Sequence, residues 1–404
     1  MFHLKFFFCF SLHYIMLSPD RMTFMINRAL EAVQRRKQLM EEVLDREVSS
    51  QKEQDITLPS PVFPIYDSFK NNTSAFKLLT GFNVTHFDYL YEDVATLLIR
   101  TKRGRPPRIT GKDILFIVLY YVRRYPKFED MQSTFSISYA TIEKTITEFL
   151  PIIADRFFLR YVKAIASEEE WPHKDEFNNA DLIVDATVQK INRPCLDYQT
   201  AKQWYSGKHS VYCLKTQVVT NRLGVAMHVT DPVPGSIHDL TLFRDSLPEI
   251  LELIEKHKEG KDEEIKILAD LGYYTKDLEH LLITPIKSIP SLPANEQRDA
   301  EKFNQSLSRQ RIRVENYFGR LKKSFDILAG TYRGGHEIYK HIVRLCTALT
   351  NYKLVTVKEV LAESDHDYYH RHTIVMQRSA EDAIQKKKQQ RKRAAENRRR
   401  QLEQ

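Results

Sequence analysis

From residue 181 onward the apolar residues change period, and the order of that change restricts the fold more than any other feature. Upstream, apolar positions recur mostly at helical spacing. Three stretches then follow that are rich in Val, Ile, Thr and Tyr: 181–191 (DLIVDATVQKI), 212–221 (YCLKTQVVTN) and 223–231 (LGVAMHVTD). Short polar segments part them, so they read as consecutive strands, antiparallel to one another. Residues 238–257 return to helical spacing, 264–270 (EIKILAD) read as a fourth strand, and 280–286 (HLLITPI) as a fifth. From Glu296 to Leu328 the pattern is a long helix or a helix pair, and 336–360 is a closing helix.

Three strands, a helix, a fourth strand and a long helix is the order of an RNase H-like α/β domain. There the first and fourth strands lie side by side, and a late helix crosses the sheet. Acids sit where that geometry would bring them together. Asp185 follows Leu182-Ile183-Val184, Asp270 follows Ile267-Leu268-Ala269, and Glu315 lies on the late helix, at intervals of 85 and 45 residues. One such Asp is more often a turn or cap residue; three in the order one fold demands point to a shared site. Carboxylate oxygens suit a hard divalent cation, Mg²⁺ or Mn²⁺. His238 and Asp239 form a second acidic candidate, at a position natural for a helix N-cap. Strand order favours Asp270 as the ligand and leaves Asp239 and His238 as a supporting or alternative pair.

Upstream, residues 26–48 read as a charged helix and 49–75, with Pro59, Pro61 and Pro64, as a linker. Thr85 is the expected N-cap of the next helix. A basic arm, Lys102 to Arg108, follows. Thr110 then caps an apolar helix that Pro126 ends, 127–135 is a short helix, Ser136-Ile137-Ser138 is a turn, and Ser138 caps a longer helix. That sequence reads as a helix-turn-helix. Its recognition helix would present Tyr139, Thr141, Lys144 and Thr145 to DNA. Arg103, Arg105 and Arg108 in the arm suit a minor groove.

The expected organisation is therefore an extension, helix and linker (1–75), a helical DNA-binding region (76–165), a catalytic domain (178–362) and a basic tail (379–404). Between Lys386 and Arg400 stand nine Lys or Arg and one Glu, which accounts for the whole formal net charge of +8. Such a tail suits a nuclear address, if the source is eukaryotic, or a nonspecific DNA contact. Cys9, Cys195, Cys213 and Cys346 form no CxxC pair, so no zinc ribbon or disulfide framework is expected. The apolar start, MFHLKFFFCFSLHYIML, is too short for a membrane span and lacks an A-x-A-like cleavage site. It reads as an extension, or as a start placed too early, with Met16, Met22 or Met25 as alternatives.

DLIVDAT, YSGKHSVYCLKTQVVTN, DPVPGSIHDLTLF, ILADLGYY and RIRVENYFGRLKKSFDIL together resemble the catalytic domain of DDE transposases. The nearest group is that of insertion sequences and PIF/Harbinger elements, and the resemblance runs from about Leu79 to about Lys353. It implies that Asp185, Asp270 and Glu315 are the DDE triad. The implied function is two-metal cleavage of transposon ends and joining of the freed 3′-OH to target DNA. In related enzymes Tyr and Arg precede the glutamate and Lys follows it. Here Arg311 and Lys322 match, at spacings of four and seven, while Ser308 stands at the Tyr position. Arg311, Lys322 and Lys208, the last from a Lys-His pair with His209, would meet DNA phosphates. The resemblance also implies a homo-oligomer, since two ends must be held together, and allows a separate DNA-binding partner protein. The alternative reading is a domesticated DNA-binding or regulatory protein that keeps the fold. No membrane role is expected.

Overall fold

The computed structural model describes residues 64–98, 109–164, 177, 180–195, 197–258, 265–287 and 293–357, and among these described residues six α-helices precede the sheet. They are α1 (Ile65–Phe69), α2 (Thr73–Thr80), α3 (Val84–Val94), α4 (Gly111–Arg124), α5 (Phe128–Phe135) and α6 (Tyr139–Phe158). Residues 113–119 of α4 are all buried, because α4 is the helix around which the others pack. Phe69, Phe76 and Phe87 surround Phe116 with ring centroids 5.4–6.3 Å away. Thr110 caps α4 through a capping box with Asp113. Asp113 is tolerated at 1 % exposure because it also accepts from the Tyr66 amide at 2.8 Å.

Two expectations are corrected here. The last part of the predicted linker is helical: α1 and the start of α2 lie within 64–75, and Ile65, Tyr66 and Phe76 are buried. Asn83, not Thr85, caps α3, its side chain accepting from the His86 amide at 2.8 Å. The predicted helix at 26–48, the arm residues Arg103, Arg105 and Arg108, and the basic tail lie outside the described residues.

The strands are β1 (Ala180–Lys190), β2 (Tyr205–Ser206), β3 (Val211–Asn221), β4 (Ala226–Val229), β5 (Val233–Pro234), β6 (Lys266–Leu268) and β7 (Leu282–Ile283). The sheet order is β2-β3-β1-β6-β7, with β4 and β5 pairing β3. β1 is antiparallel to β3 and parallel to β6, and β6 is parallel to β7. The fold is therefore α/β with a mixed sheet. Beside the strands stand α7 (Tyr198–Lys202), α8 (Asp239–Lys258), α9 (Ala294–Ser324), α10 (Asp326–Ala329) and α11 (His336–Tyr352). No helix among the described residues is long and apolar enough to cross a membrane.

Helices cover both faces. Ile183 and Leu268 pack on Leu307 and Val314 of α9. Gln217, partner of Ala186, donates to Ser246 of α8 at 3.0 Å. Strand side chains alternate, so Ile183 and Asp185 share the α9 face while Ala186 and Gln217 share the α8 face. The helical region and the sheet belong to one compact unit that runs to Asn351. Arg124 reaches Asp326 at 3.6 Å, and Arg344 joins Asp155 of α6 (3.3 Å) to Asp231 (2.8 Å).

Candidate active site

Parallel pairing of Leu182 with Ile267 and Ile183 with Leu268 sets the register of the two central strands. Counting two residues on from Ile183 and Leu268 reaches Asp185 and Asp270. The apolar runs bury the strands and the register brings the acids level. Arg311 of α9 joins them: its two terminal nitrogens lie 3.5 Å from Asp185 Oδ2 and 3.5 Å from Asp270 Oδ1. Arg311 stands between Leu307 and Val314 on the stripe of α9 that faces the sheet, and only 12 % of its side chain is exposed.

Each aspartate also accepts from the next backbone amide: Ala186 to Asp185 Oδ1 at 2.8 Å, Leu271 to Asp270 Oδ1 at 2.7 Å. Burial pushes the Asp185 carboxyl up to about 6, with Arg311 and the Ala186 amide pulling down and the charges of Asp270 and Glu315 pushing up. Glu315, one turn beyond Arg311, is exposed and acts on Asp185 electrostatically. Among the described residues no three His, Cys, Asp or Glu converge closely enough to hold a metal ion together. The donor set still suits a hard cation: two level carboxylates whose mutual repulsion is relieved by a positive group lying between them. That group here is the Arg311 guanidinium.

Asp239 lies against the turn that follows Asp270, where a side chain added at Gly272 would meet its Oδ2 at 3.7 Å, and it is held by two lysines. Its Oδ1 takes a 2.8 Å ion pair from Lys215 of β3, and Lys208 lies 4.0 Å from its Oδ2. Lys215, two residues from Gln217, is on the α8 face, whereas Asp185 is on the α9 face. His238 is exposed, and its carbonyl accepts from the Leu242 amide at the start of α8. Lys322 donates to the Val188 carbonyl at 3.3 Å, and burial lowers its pKa. His209 is exposed, with its pKa lowered first by desolvation and then by Lys208.

Sequence reasoning did not single out Tyr273. It ends a single 3-10 turn, Leu271–Tyr273, that Asp270 caps, and it is fully buried. Its hydroxyl has no hydrogen-bond partner among the described residues. The only sequence signal is an aromatic three residues after an acid, which is weak.

In the helical region Tyr139 and Lys144 are exposed and Thr141 is half-buried at the start of α6. Thr145 is a correction: it is fully buried and donates to the Thr141 carbonyl at 2.7 Å, so it cannot reach a groove. Ser138 holds the N-cap position, and its hydroxyl pairs with that of Thr141 at 2.8 Å.

A family model described as DDE superfamily endonuclease matches residues 184–351, a span that holds Asp185, Asp239, Asp270 and Glu315. The chain is also similar to the probable transposase for insertion sequence element IS702 of Microchaete diplosiphon. The two are 28% identical over 284 residues, which cover 69% of this chain and 94% of the relative. No solved structure matches.

Proposed function

We propose, from the premise that this chain belongs through residues 184–351 to the DDE superfamily of endonucleases, that it is a transposase which cuts element ends and joins the freed 3′-OH to target DNA. The observation that carries this reading is the level pair Asp185 and Asp270 with one guanidinium between them. We read the domain as RNase H-like, from its strand order, and α4 to α6 as a helix-turn-helix that docks Tyr139, Thr141 and Lys144 on DNA. A homo-oligomer would hold two ends.

Asp185 and Asp270 would hold the divalent cation, Mg²⁺ or Mn²⁺, with Glu315 brought in from α9. The ion would supply charge neutralisation at the scissile phosphate and a more acidic bound water or hydroxyl. The protein's own residues do the positioning. β1 and β6 present the two carboxylates from a rigid sheet. Arg311, released from the aspartates, would turn to a phosphate oxygen, and Lys322 and Lys208 would take flanking phosphates.

The test is cleavage of DNA carrying the flanking element ends, with Mg²⁺ or Mn²⁺, by wild type and by Asp185→Ala, Asp270→Ala, Glu315→Ala and Asp239→Ala. Loss of cutting in the first three, with folding and DNA binding kept, is the expected result. Loss in Asp239→Ala alone would move the second ligand to Asp239. A wild type that binds these ends and cuts them with neither metal is a domesticated DNA-binding protein.

A further inference from the structure

One glycine stands inside α9 where the fold gives no reason for it. Gly319 lies four residues after Glu315 and six before Phe325, whose amide closes the helix on the Leu321 carbonyl. A glycine inside a helix costs roughly two- to five-fold in the folding equilibrium relative to alanine. Three structural needs commonly call for one, and none applies here. α9 runs unbroken from Ala294 to Ser324, so no helix end falls at Gly319. Its φ lies outside the left-handed region, which among the described glycines holds Gly81 and Gly224. Packing forbids no side chain either: Gly319 is exposed, and a Cβ built on it meets no atom within 4 Å among the described residues. Gly111, the first residue of α4, shows the contrast, since a Cβ there would meet Tyr91 Oη at 2.9 Å. The remaining use of a bare helix backbone is the close approach of a ligand.

The place of the gap indicates which ligand. Arg311, Glu315, Gly319 and Lys322 follow one another at spacings of four, four and three, so they lie along one face of α9. Arg311 meets Asp185 and Asp270, and Lys322 donates to the Val188 carbonyl of β1. The bare turn therefore opens beside the acid site, on the strip that leads from Arg311 to Lys322. Positive charge gathers at its far end. Lys322 and Lys323 stand three and four residues beyond Gly319, and Arg123 of α4 donates to the Ser324 carbonyl where the helix stops. A gap one helical turn long, about 6 Å, with cations at its end suits a phosphodiester backbone lying against the helix.

We propose that Gly319 is a positioning residue for DNA: the strand that enters the acid site lies in van der Waals contact with the α9 backbone at Gly319, its phosphates turned to Lys322 and Lys323. This rests on the reading of the chain as a DNA-cutting transposase. The missing side chain lets the strand settle to the level of Asp185 and Asp270. A methyl group at this point lifts it by on the order of 1 Å, a misplacement that costs about 100-fold in rate at worst. The contact itself needs no metal, so it forms on binding as well as on cutting.

The test uses the full chain as wild type, Gly319→Ala, Gly319→Leu and Gly319→Cys. Urea midpoints are measured without DNA, and cleavage kinetics on DNA carrying the element ends with Mg²⁺ or Mn²⁺. Maleimide alkylation of Gly319→Cys, followed by mass spectrometry of the peptide that holds position 319, is compared with and without that DNA, in the absence of metal. Gly319→Ala is expected to fold more stably than wild type, by roughly two- to five-fold in the equilibrium. It should nevertheless cut about ten- to 100-fold more slowly, with the loss on kcat more than on KM, and Gly319→Leu more slowly still. The thiol at position 319 should react in the free protein and be protected by the element-end DNA. A Gly319→Ala variant that gains stability and cuts at the wild-type rate would overturn the contact. So would one that loses stability, by making the glycine structural. A thiol unreactive before DNA is added means that another part of the chain or a second copy covers the helix, and a thiol still reactive with DNA bound means that nothing does; either overturns it. A wild type that cuts with neither metal overturns the transposase reading instead, and the alkylation result then decides the DNA contact alone.

Discussion

Arg311 and Asp185 approach to 3.5 Å from a helix and a strand, and the same guanidinium lies 3.5 Å from Asp270. One positive side chain thus stands where the proposed chemistry requires a cation. Arg311→Ala is expected to bind Mn²⁺ several-fold more tightly than wild type, because the competing charge is gone. It should nevertheless cut poorly, having lost a phosphate ligand. Arg311→Lys should lie between, since one ammonium cannot serve two carboxylates as a fork does. Mn²⁺ titration and cleavage on the same preparations check this. Weaker Mn²⁺ binding in Arg311→Ala would show that Arg311 supports the cation instead of competing with it.

The Asp185 carboxyl predicts a pH dependence of stability in the metal-free protein. Its folded value is pushed from 3.8 up to about 6. Between those values the folded state holds a proton that the unfolded chain has released, so stability falls as pH rises through the window. The full penalty, present above pH 6, is at most about 3 kcal/mol. Asp185→Asn should match wild type at pH 4 and unfold at a higher temperature at pH 7.5. Mn²⁺ should narrow that gap, because it stabilises wild type alone. An Asn variant less stable than wild type at pH 7.5 would contradict the burial argument.

How much of this was legible in the sequence follows from what each feature depends on. β1 and β6 announce themselves through apolar runs that end on Asp185 and Asp270, and α9 through its apolar stripe. These signals are local and strongly periodic. The register that brings Asp185 level with Asp270 is a pairing between distant segments, so Arg311 read as a helix charge suited to phosphates. α1 and α2 were hidden because they are short and follow a proline-rich stretch. Their buried residues, Ile65, Tyr66 and Phe76, belong to a cluster built around Phe116, 40 residues downstream of Phe76. β2 and β5 have two residues each, below the length at which alternation can be seen. Tyr273 was missed because its isolation is a property of what surrounds it.

The Lys215–Asp239 pair predicts a structural penalty in place of a catalytic one. Their side chains are 11 % and 18 % exposed, and Lys215 also donates to the Ile237 carbonyl at 2.5 Å. Removing one partner strands the other in a dry site. Asp239→Asn should therefore cost about 3 kcal/mol, read as a lower urea midpoint. Lys215→Met combined with Asp239→Asn should cost less than the sum of the single changes. Additive losses would mean that the two charges do not depend on one another.

Tyr125 and Arg333 link the helical region to the strand that bears Asp185. Tyr125 ends α4 in the left-handed region at φ 44°, and its ring packs between Tyr121 of that helix, 5.7 Å away, and Tyr332, 6.0 Å away. Arg333 stacks its guanidinium over that ring at 4.4 Å, and its backbone amide donates to the Tyr125 hydroxyl at 2.7 Å. The neighbouring Tyr332 amide donates to the Lys190 carbonyl at the end of β1, at 2.8 Å. Arg333 is exposed and Tyr125 only half-buried, so Arg333→Ala should cost only about 1 kcal/mol. Tyr125→Phe keeps the ring and loses one exposed hydrogen bond, so it should cost less. Tyr125→Gly relieves the backbone but removes the ring, and should resemble Arg333→Ala. Urea midpoints of the three variants test this order. A Tyr125→Phe loss that exceeds that of Arg333→Ala would shift the weight of the link from the stacked cation to the hydroxyl.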